Sequence, residues 1–269
     1  MSEPQFYRLE APRYESGYED TYINGHASHR HSLPGLDCPD CTPWSGGRLL
    51  PFECPEEFRK HENIKERWPI PTDAHRELCD QILAALHQAG HAIESLGPGD
   101  TFLPAVLDIP SCPEFDFLWS TLGSAIVSER IKTAFESAGL TGIQFVPICL
   151  QRVGKAYATD PPPTPSTGEP EDMINEVEEF LMHSEVDPYF QMIITANSAT
   201  PPGAEITSVC DTCGRESYDK AKRQLVMQPE MWQGHDVFFL ATTLYILITP
   251  AVRELLEELE ATNVEMRPI

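Results

Sequence analysis

The chain has 269 residues, enough for one large domain or two small ones, and a hydrophobic content of 41% that supports a sizeable core. Nineteen Lys and Arg stand against forty-two Asp and Glu, a formal net charge of −23, so nucleic acid is not an expected partner: neutralising phosphates takes a basic face. The longest apolar stretch, Val237 to Ile248, carries Thr242 and Thr243 and is too short for a bilayer, and Met1-Ser2-Glu3-Pro4-Gln5 lacks the basic start and apolar run of a secretory leader, so a cytoplasmic protein without a membrane partner is expected.

In chain order, Phe6-Tyr7-Arg8-Leu9 reads as a short strand. Tyr14, Tyr18 and Tyr22 follow at helical spacing, but Gly17 and the acids between them argue against a helix. From Gly25 to Leu36 the chain holds His26, His29 and His31 and reads as a polar loop; metal ligation by these histidines is the alternative. Cys38-Pro39-Asp40-Cys41 comes next, and Trp44-Ser45-Gly46-Gly47 predicts a turn that folds it back. Pro55 to Lys60 is a short charged turn. Pro71-Thr72-Asp73 opens a helix with Leu78, Ile82, Ala85 and Leu86 on one face, which stops at Gly90. The solitary Cys54, Cys79, Cys112 and Cys149 read as core side chains.

An internal repeat follows. Asp116-Phe117-Leu118-Trp119, Ala125 to Arg130 and Gly142 to Ile148 are echoed by Asp236-Val237-Phe238-Phe239, Ile246 to Pro250 and Asn263 to Ile269. In each copy an apolar run ends at a Ser or Thr able to cap a helix, and in the second Pro250 takes the first helical position, where a missing N–H costs nothing. The helices present Ile131, Ala134, Phe135 and Ala138, and Val252, Leu255, Leu256 and Leu259. The expected fold class is α+β. Two similar strand–helix–strand halves, each following a cysteine knuckle, would be joined by a zinc ribbon made from the two distant knuckles. The halves are 1–159 and 171–269, packing as one unit, with the Pro-rich 160–170 between them as an extended linker. Coincidence between two common strand–helix–strand units is the other reading.

After the linker, Glu171 and Asp172 sit in the first turn of an expected helix, where its dipole favours acid. Ile174, Val177 and Leu181 form the buried stripe, leaving Glu176, Glu178 and Glu179 for water or a partner. From Ala156 to Gly214 there is no Lys or Arg and there are eleven Asp or Glu. That stretch reads as plain solubility or as a surface that attracts a basic protein. Glu171, Asp172, Glu176, Glu178 and Glu179 are therefore the candidate partner-binding residues.

The second cysteine turn, Cys210-Asp211-Thr212-Cys213-Gly214, lies far down the chain from the first. Each is a Cys-x-x-Cys, and two together supply the four sulfurs of a structural zinc site, with Cys38, Cys41, Cys210 and Cys213 as ligands. Closing so long a loop costs on the order of 4–5 kcal/mol, against roughly 10–16 kcal/mol from structural zinc. In a reducing compartment such pairs bind metal more often than they form disulfides; two unliganded turns are the bland alternative. His183-Ser184-Glu185 with Cys210 and Cys213 imitates the ligand set of zinc deaminases. Against that stand Val209 in place of proline, Gly214 where a helix should start, and no role for Cys38 and Cys41. No phosphate-binding glycine loop or nucleophile elbow occurs, so a non-catalytic binding protein is expected.

These features resemble the double-CXXCG motif family of bacterial immunity proteins, found as paralogues in myxobacteria, where they protect against swarming-inhibition toxins. The residues that carry the resemblance are His31 to Cys41 with Trp44 behind them, Cys210 to Gly214, and Ser128-Glu129-Arg130 through Leu140 to Pro147. One departure is Thr42, where the motif has Gly, so the turn after Cys41 must differ. The resemblance implies a zinc-stabilised protein that binds and neutralises one cognate toxin, a basic one on the charge argument. The expectation from a different class is a zinc-braced structural or regulatory adaptor.

Overall fold

A computed structural model describes residues 6–12, 26–66, 68–109, 114–120, 125–152, 188–219 and 224–269. They form a mixed α+β structure, richer in strands than in helices. The chain divides into two compact units, one from Met1–Ser28, Val106–Pro202 and Arg223–Ile269, the other from His29–Ala105 and Gly203–Lys222. These units are composed differently from the expected consecutive halves: both repeat copies fall in the first unit and both cysteine knuckles in the second. The expected linker 160–170 and the acidic helix from Glu171 lie outside the described residues.

The first unit holds two four-strand arrangements with one order. In the first, β7 (Phe117–Trp119) pairs with β8 (Ala125–Ser128), β8 with β10 (Tyr189–Ile194), and β10 with β9 (Ile143–Arg152), all antiparallel. In the second, β13 (Val237–Phe239) pairs with β14 (Ile246–Ile248), β14 with β1 (Tyr7–Glu10), and β1 with β15 (Glu265–Pro268), again all antiparallel. A helix follows the second strand in each, α3 (Glu129–Ser137) and α4 (Pro250–Glu258). The strands on either side of each helix are both antiparallel to the strand between them, hence parallel to each other: each copy is a split β–α–β unit. The inserted strand is never its own copy's neighbour in sequence, since β1 comes from the front of the chain and β10 from beyond residue 188.

Alternation along these strands sets the core. Ala125 and Val127, Ile246 and Ile248, and Tyr7 and Leu9 point into one cluster with Ile131, Phe135, Val252 and Leu256 of the helices. On the opposite face of the second arrangement, Leu247 joins Phe6, Met227, Met231, Phe238 and Leu240.

The polar contacts repeat as well. Asp116 Oδ2 accepts the backbone N–H and the hydroxyl of Thr262, each at 3.0 Å; Asp236 Oδ2 accepts the same pair from Thr141, at 2.9 and 2.7 Å. Each aspartate thus grips the loop after the other copy's helix. Ser128 and Thr249 occupy the N-cap positions, but neither hydroxyl caps its helix. Instead they reach back to Asp116 at 3.0 Å and Asp236 at 3.5 Å, a correction to the capping expectation. Lys132, paired with Glu136, lies over the Phe190 ring, and Arg253, paired with Glu257, lies over Tyr7. The copies differ at Arg130, which holds Asp116 through both carboxylate oxygens; the equivalent position in the second copy is Ala251.

The second unit is smaller. The helix α2 (Thr72–Gln88) covers the range expected of it and buries Leu78, Cys79, Ile82 and Leu86, together with His75. These meet Leu33, Leu50, Cys54 and Phe102 in one core, completed by Ile64 of α1 (Glu62–Glu66). Leu50 belongs to β4 (Leu49–Glu53), which runs parallel to β6 (Thr101–Ile109). The turn Ser45-Gly46-Gly47 crosses Gly97-Pro98-Gly99 so closely that a Cβ on Gly47 would lie 2.5 Å from the Gly99 carbonyl oxygen. The buried Asp100 carboxylate fastens this crossing by accepting from the backbone N–H groups of Arg48 and Gly97 and from Arg48 Nε. No helix of the described residues is long and apolar enough to cross a membrane.

Candidate metal centre

Both cysteine turns belong to the second unit. The first follows β3 (Leu36–Asp37), which pairs in parallel with β5 (Ile70–Pro71). Leu36 and Trp44 exchange backbone hydrogen bonds at 2.8 and 3.1 Å, so the chain between them returns on itself and carries Cys38 and Cys41 at its bend. Within the bend, Cys41 N–H donates to the Cys38 carbonyl at 3.2 Å. The second turn closes a hairpin of β11 (Ile206–Val209) and β12 (Glu216–Tyr218). There Cys210 N–H donates to the Arg215 carbonyl at 3.0 Å, and Gly214 N–H to the Cys210 carbonyl at 2.8 Å. Gly214 adopts φ 70°, a left-handed conformation that suits glycine. Thr42, in the corresponding place, is not among the residues with positive φ. A β-branched side chain disfavours that region, which is why the two turns end differently.

The four sulfurs converge. Cys38 Sγ lies 3.8 Å from Cys210 Sγ, and Cys41 Sγ lies 3.9 Å from Cys213 Sγ; all four are within 4.8 Å of one another. With zinc–sulfur bonds of about 2.3 Å, the edge of a thiolate tetrahedron is about 3.8 Å. A disulfide would need about 2.05 Å, so these are contacts of ligand spacing. Among the described residues this is the one group of three or more side chains placed to hold a metal ion.

The surroundings favour the thiolate at Cys210 and oppose it at Cys41 and Cys38. Backbone N–H groups of Cys213 and Thr212 point at Cys210 and bring its thiol down to about 7. Cys41 is pushed up to about 12, first by its hydrogen bond with Cys210 and then by burial, and burial likewise raises Cys38. Four crowded thiols cannot all ionise on their own, because each new thiolate repels the next. A divalent cation at their centre reverses that balance. Outside the sulfurs, the Thr212 hydroxyl donates to the Asp40 carboxylate. Arg215 donates to the carbonyl and hydroxyl oxygens of Thr42, each at 3.3 Å, and its guanidinium lies over Trp44. These ties link one knuckle to the other independently of any metal.

Comparison with protein-family models and with curated proteins finds no match.

Cys38, Cys41, Cys210 and Cys213 are therefore brought together as their spacing predicts. The candidate partner residues Glu171, Asp172, Glu176, Glu178 and Glu179, and His183 of the deaminase reading, lie outside the described residues. His29 and His31 do not join the sulfurs; with His26 they belong to a strand, β2 (His26–Ser32), where a loop was expected, because the backbone there pairs with β6. Cys54 and Cys79 are core residues, as expected, and burial pushes their thiols up to about 11 and about 12. His75, which sequence reasoning missed, sits one helical turn before Cys79 with Nδ1 3.5 Å from its sulfur, and burial lowers its pKa. Arg215 was also missed. Its signal, a cation directly after the second knuckle in a window otherwise free of Lys and Arg, is visible in the sequence.

Proposed function

We propose that this is an immunity protein: a zinc-stabilised, non-catalytic inhibitor that binds a cognate bacterial toxin and blocks it. The observation that supports its zinc-stabilised, non-catalytic character is the four-sulfur cluster, while toxin binding rests on the family resemblance of His31 to Cys41 and Cys210 to Gly214. Four thiolates complete a tetrahedral shell and leave no position for water or substrate, the condition of a structural rather than a catalytic zinc site. When bound, zinc would supply a fixed cross-link in the manner of a ribbon, with Cys38, Cys41, Cys210 and Cys213 as its ligands. The sulfurs of Cys38 and Cys41 beside those of Cys210 and Cys213 favour a closed ligand shell over the open coordination site that a deaminase requires. The net charge of −23 favours a basic target and speeds encounter with it.

The test is co-expression with the product of the neighbouring gene, a toxin on this reading, together with pull-down of that product. Rescue of growth and a stoichiometric complex are expected. A zinc-braced adaptor would give neither result, and that outcome would replace the inhibitor reading.

A further inference from the structure

The two repeat copies differ at one sheet edge. In the first, β9 carries β10 on one side and β6 on the other, and Val106–Ile109 of β6 belong to the same unit. Its counterpart β15 carries β1 on one side and, among the described residues, no strand on the other. Pro268 does not account for the difference, because Pro147 holds the same place within β9. The register decides what this edge offers. Ile269 N–H donates to the Phe6 carbonyl at 3.3 Å, and the pairs that follow are Tyr7 with Pro268, Arg8 with Arg267, Leu9 with Met266 and Glu10 with Glu265. Bonded and non-bonded pairs alternate in an antiparallel ladder. Arg267 and Glu265 therefore bond to β1, whereas Met266 turns its N–H and C=O away from it, and Pro268 its C=O. Such an edge is a template for another strand.

The side chains specify which strand. Met266 packs half-buried against the core that holds Leu9, Val252 and Leu256, so Glu265 and Arg267 stand on the opposite face with Arg8 and Glu10. There the Glu10 carboxylate is taken by Arg8 and by Arg267 Nη1, each at 2.8 Å. Glu265 is left opposite a like charge, Glu10, and enters no ion pair among the described residues. Arg267 is 40% exposed, and its guanidinium has further donors for a second carboxylate.

We infer that β15 is a self-association edge, at which two copies of the chain pair β15 to β15, antiparallel about a twofold axis through Met266. The two Met266 residues then exchange N–H and C=O, and Glu265 of each copy opposes Arg267 of the other. This register alone matches the charges. A slip of two residues sets Glu265 against Glu265 or Arg267 against Arg267, and a slip of one turns the faces over. The repulsion between two chains of net charge −23 is screened beyond about 8 Å at physiological salt, whereas the opposed pairs are in contact. So short an edge makes a weak, concentration-dependent dimer. The inference stands apart from the inhibitor reading and does not need it.

The test is sedimentation equilibrium of the full chain at physiological salt, from micromolar concentrations up to about 1 mM. The parent should pass from monomer to dimer. Met266→Pro, which removes the outward N–H and leaves the bonds to β1, should stay monomeric. Glu265→Arg and Arg267→Glu should each weaken association by about tenfold or more, since each places like charges opposite one another in the dimer. Mixed together, these two variants oppose unlike charges at both positions and should associate as the parent does. Melting temperature and zinc content show that each variant is folded. Should Arg267→Glu fail to fold without its bond to Glu10, Met266→Pro and Glu265→Arg decide. A parent monomeric throughout, a dimer unchanged by Met266→Pro and Glu265→Arg, or folded charge variants that do not associate when mixed would each overturn the assignment. So would a monomeric parent whose Met266 amide gains protection from exchange only with the neighbouring gene's product, which would give the edge to that partner.

Discussion

The two units solve the same problem, holding sequence-distant segments together, by different means. The first does it twice over with one plan. Each split β–α–β copy admits a strand from elsewhere, buries its helix through Ile131 and Phe135 or Val252 and Leu256, and grips the other copy's loop through an aspartate. The second unit brings Gly203–Lys222 to His29–Ala105 at the knuckles, where four sulfurs, the Thr212–Asp40 bond and the Arg215 contacts meet. The lesson is that the first unit interlocks two copies around one shared core, whereas the second adds a sulfur centre to a core of its own.

Breaking that centre should have the largest effect. Cys210→Ser is expected to abolish stoichiometric zinc and to remove stabilisation on the order of 10 kcal/mol. That is comparable to the whole stability of an ordinary domain. Metal analysis and hydrogen exchange would check it: protection should vanish in the described parts of His29–Ala105 and Gly203–Lys222, and full zinc in the variant would refute the ligand assignment.

In the first unit, Phe135→Ala should cost about 3–5 kcal/mol, a cavity penalty, with zinc content unchanged. Equal zinc loss in this variant would erase the contrast between the units. The two aspartates sharpen the comparison within the repeat. Asp116→Ala loses the bonds from the half-exposed Arg130 as well as those from Thr262 and should cost about 2 kcal/mol, whereas Asp236→Ala loses only neutral donors and should cost about 1 kcal/mol. Urea titration of both variants would rank them.

The smallest effect is on pH dependence. Burial pushes the Asp116 carboxyl up, but the Arg130 guanidinium and the donors of Thr262 and Ser128 outweigh it and hold it below the usual range. Its folded pKa lies below the unfolded value, so its contribution is complete above the ordinary carboxylate range. It is lost as pH falls through the folded pKa. Asp116→Asn should therefore lower stability at neutral pH and flatten its decline in acid, seen as a shallower slope of melting temperature below about pH 4.

Much of this was open to reading in the chain itself. The spacing of Asp116 and Asp236, of the apolar runs that end at Ser128 and Thr249, and of the helix faces announces the repeat. The two Cys-x-x-Cys turns announce a four-sulfur centre, because chemistry at short range needs only local spacing. The strand Tyr189–Ile194 was not anticipated, nor was the role of Tyr7–Glu10 as its counterpart, since an inserted strand carries no mark of where it inserts. Hydroxyls expected to cap helices turned instead to aspartates that folding brings beside them.

Local order, the cysteine spacing and the duplication were thus determined by the sequence alone, since each depends on residues a few positions apart or on a pattern that recurs. Tertiary structure alone decided which unit holds both knuckles, which strand enters each repeat, and that, among the described residues, β15 keeps an open edge where β9 carries β6. These are matters of pairing between remote segments, settled by burial and backbone hydrogen bonding over the whole fold rather than by any residue's own preference.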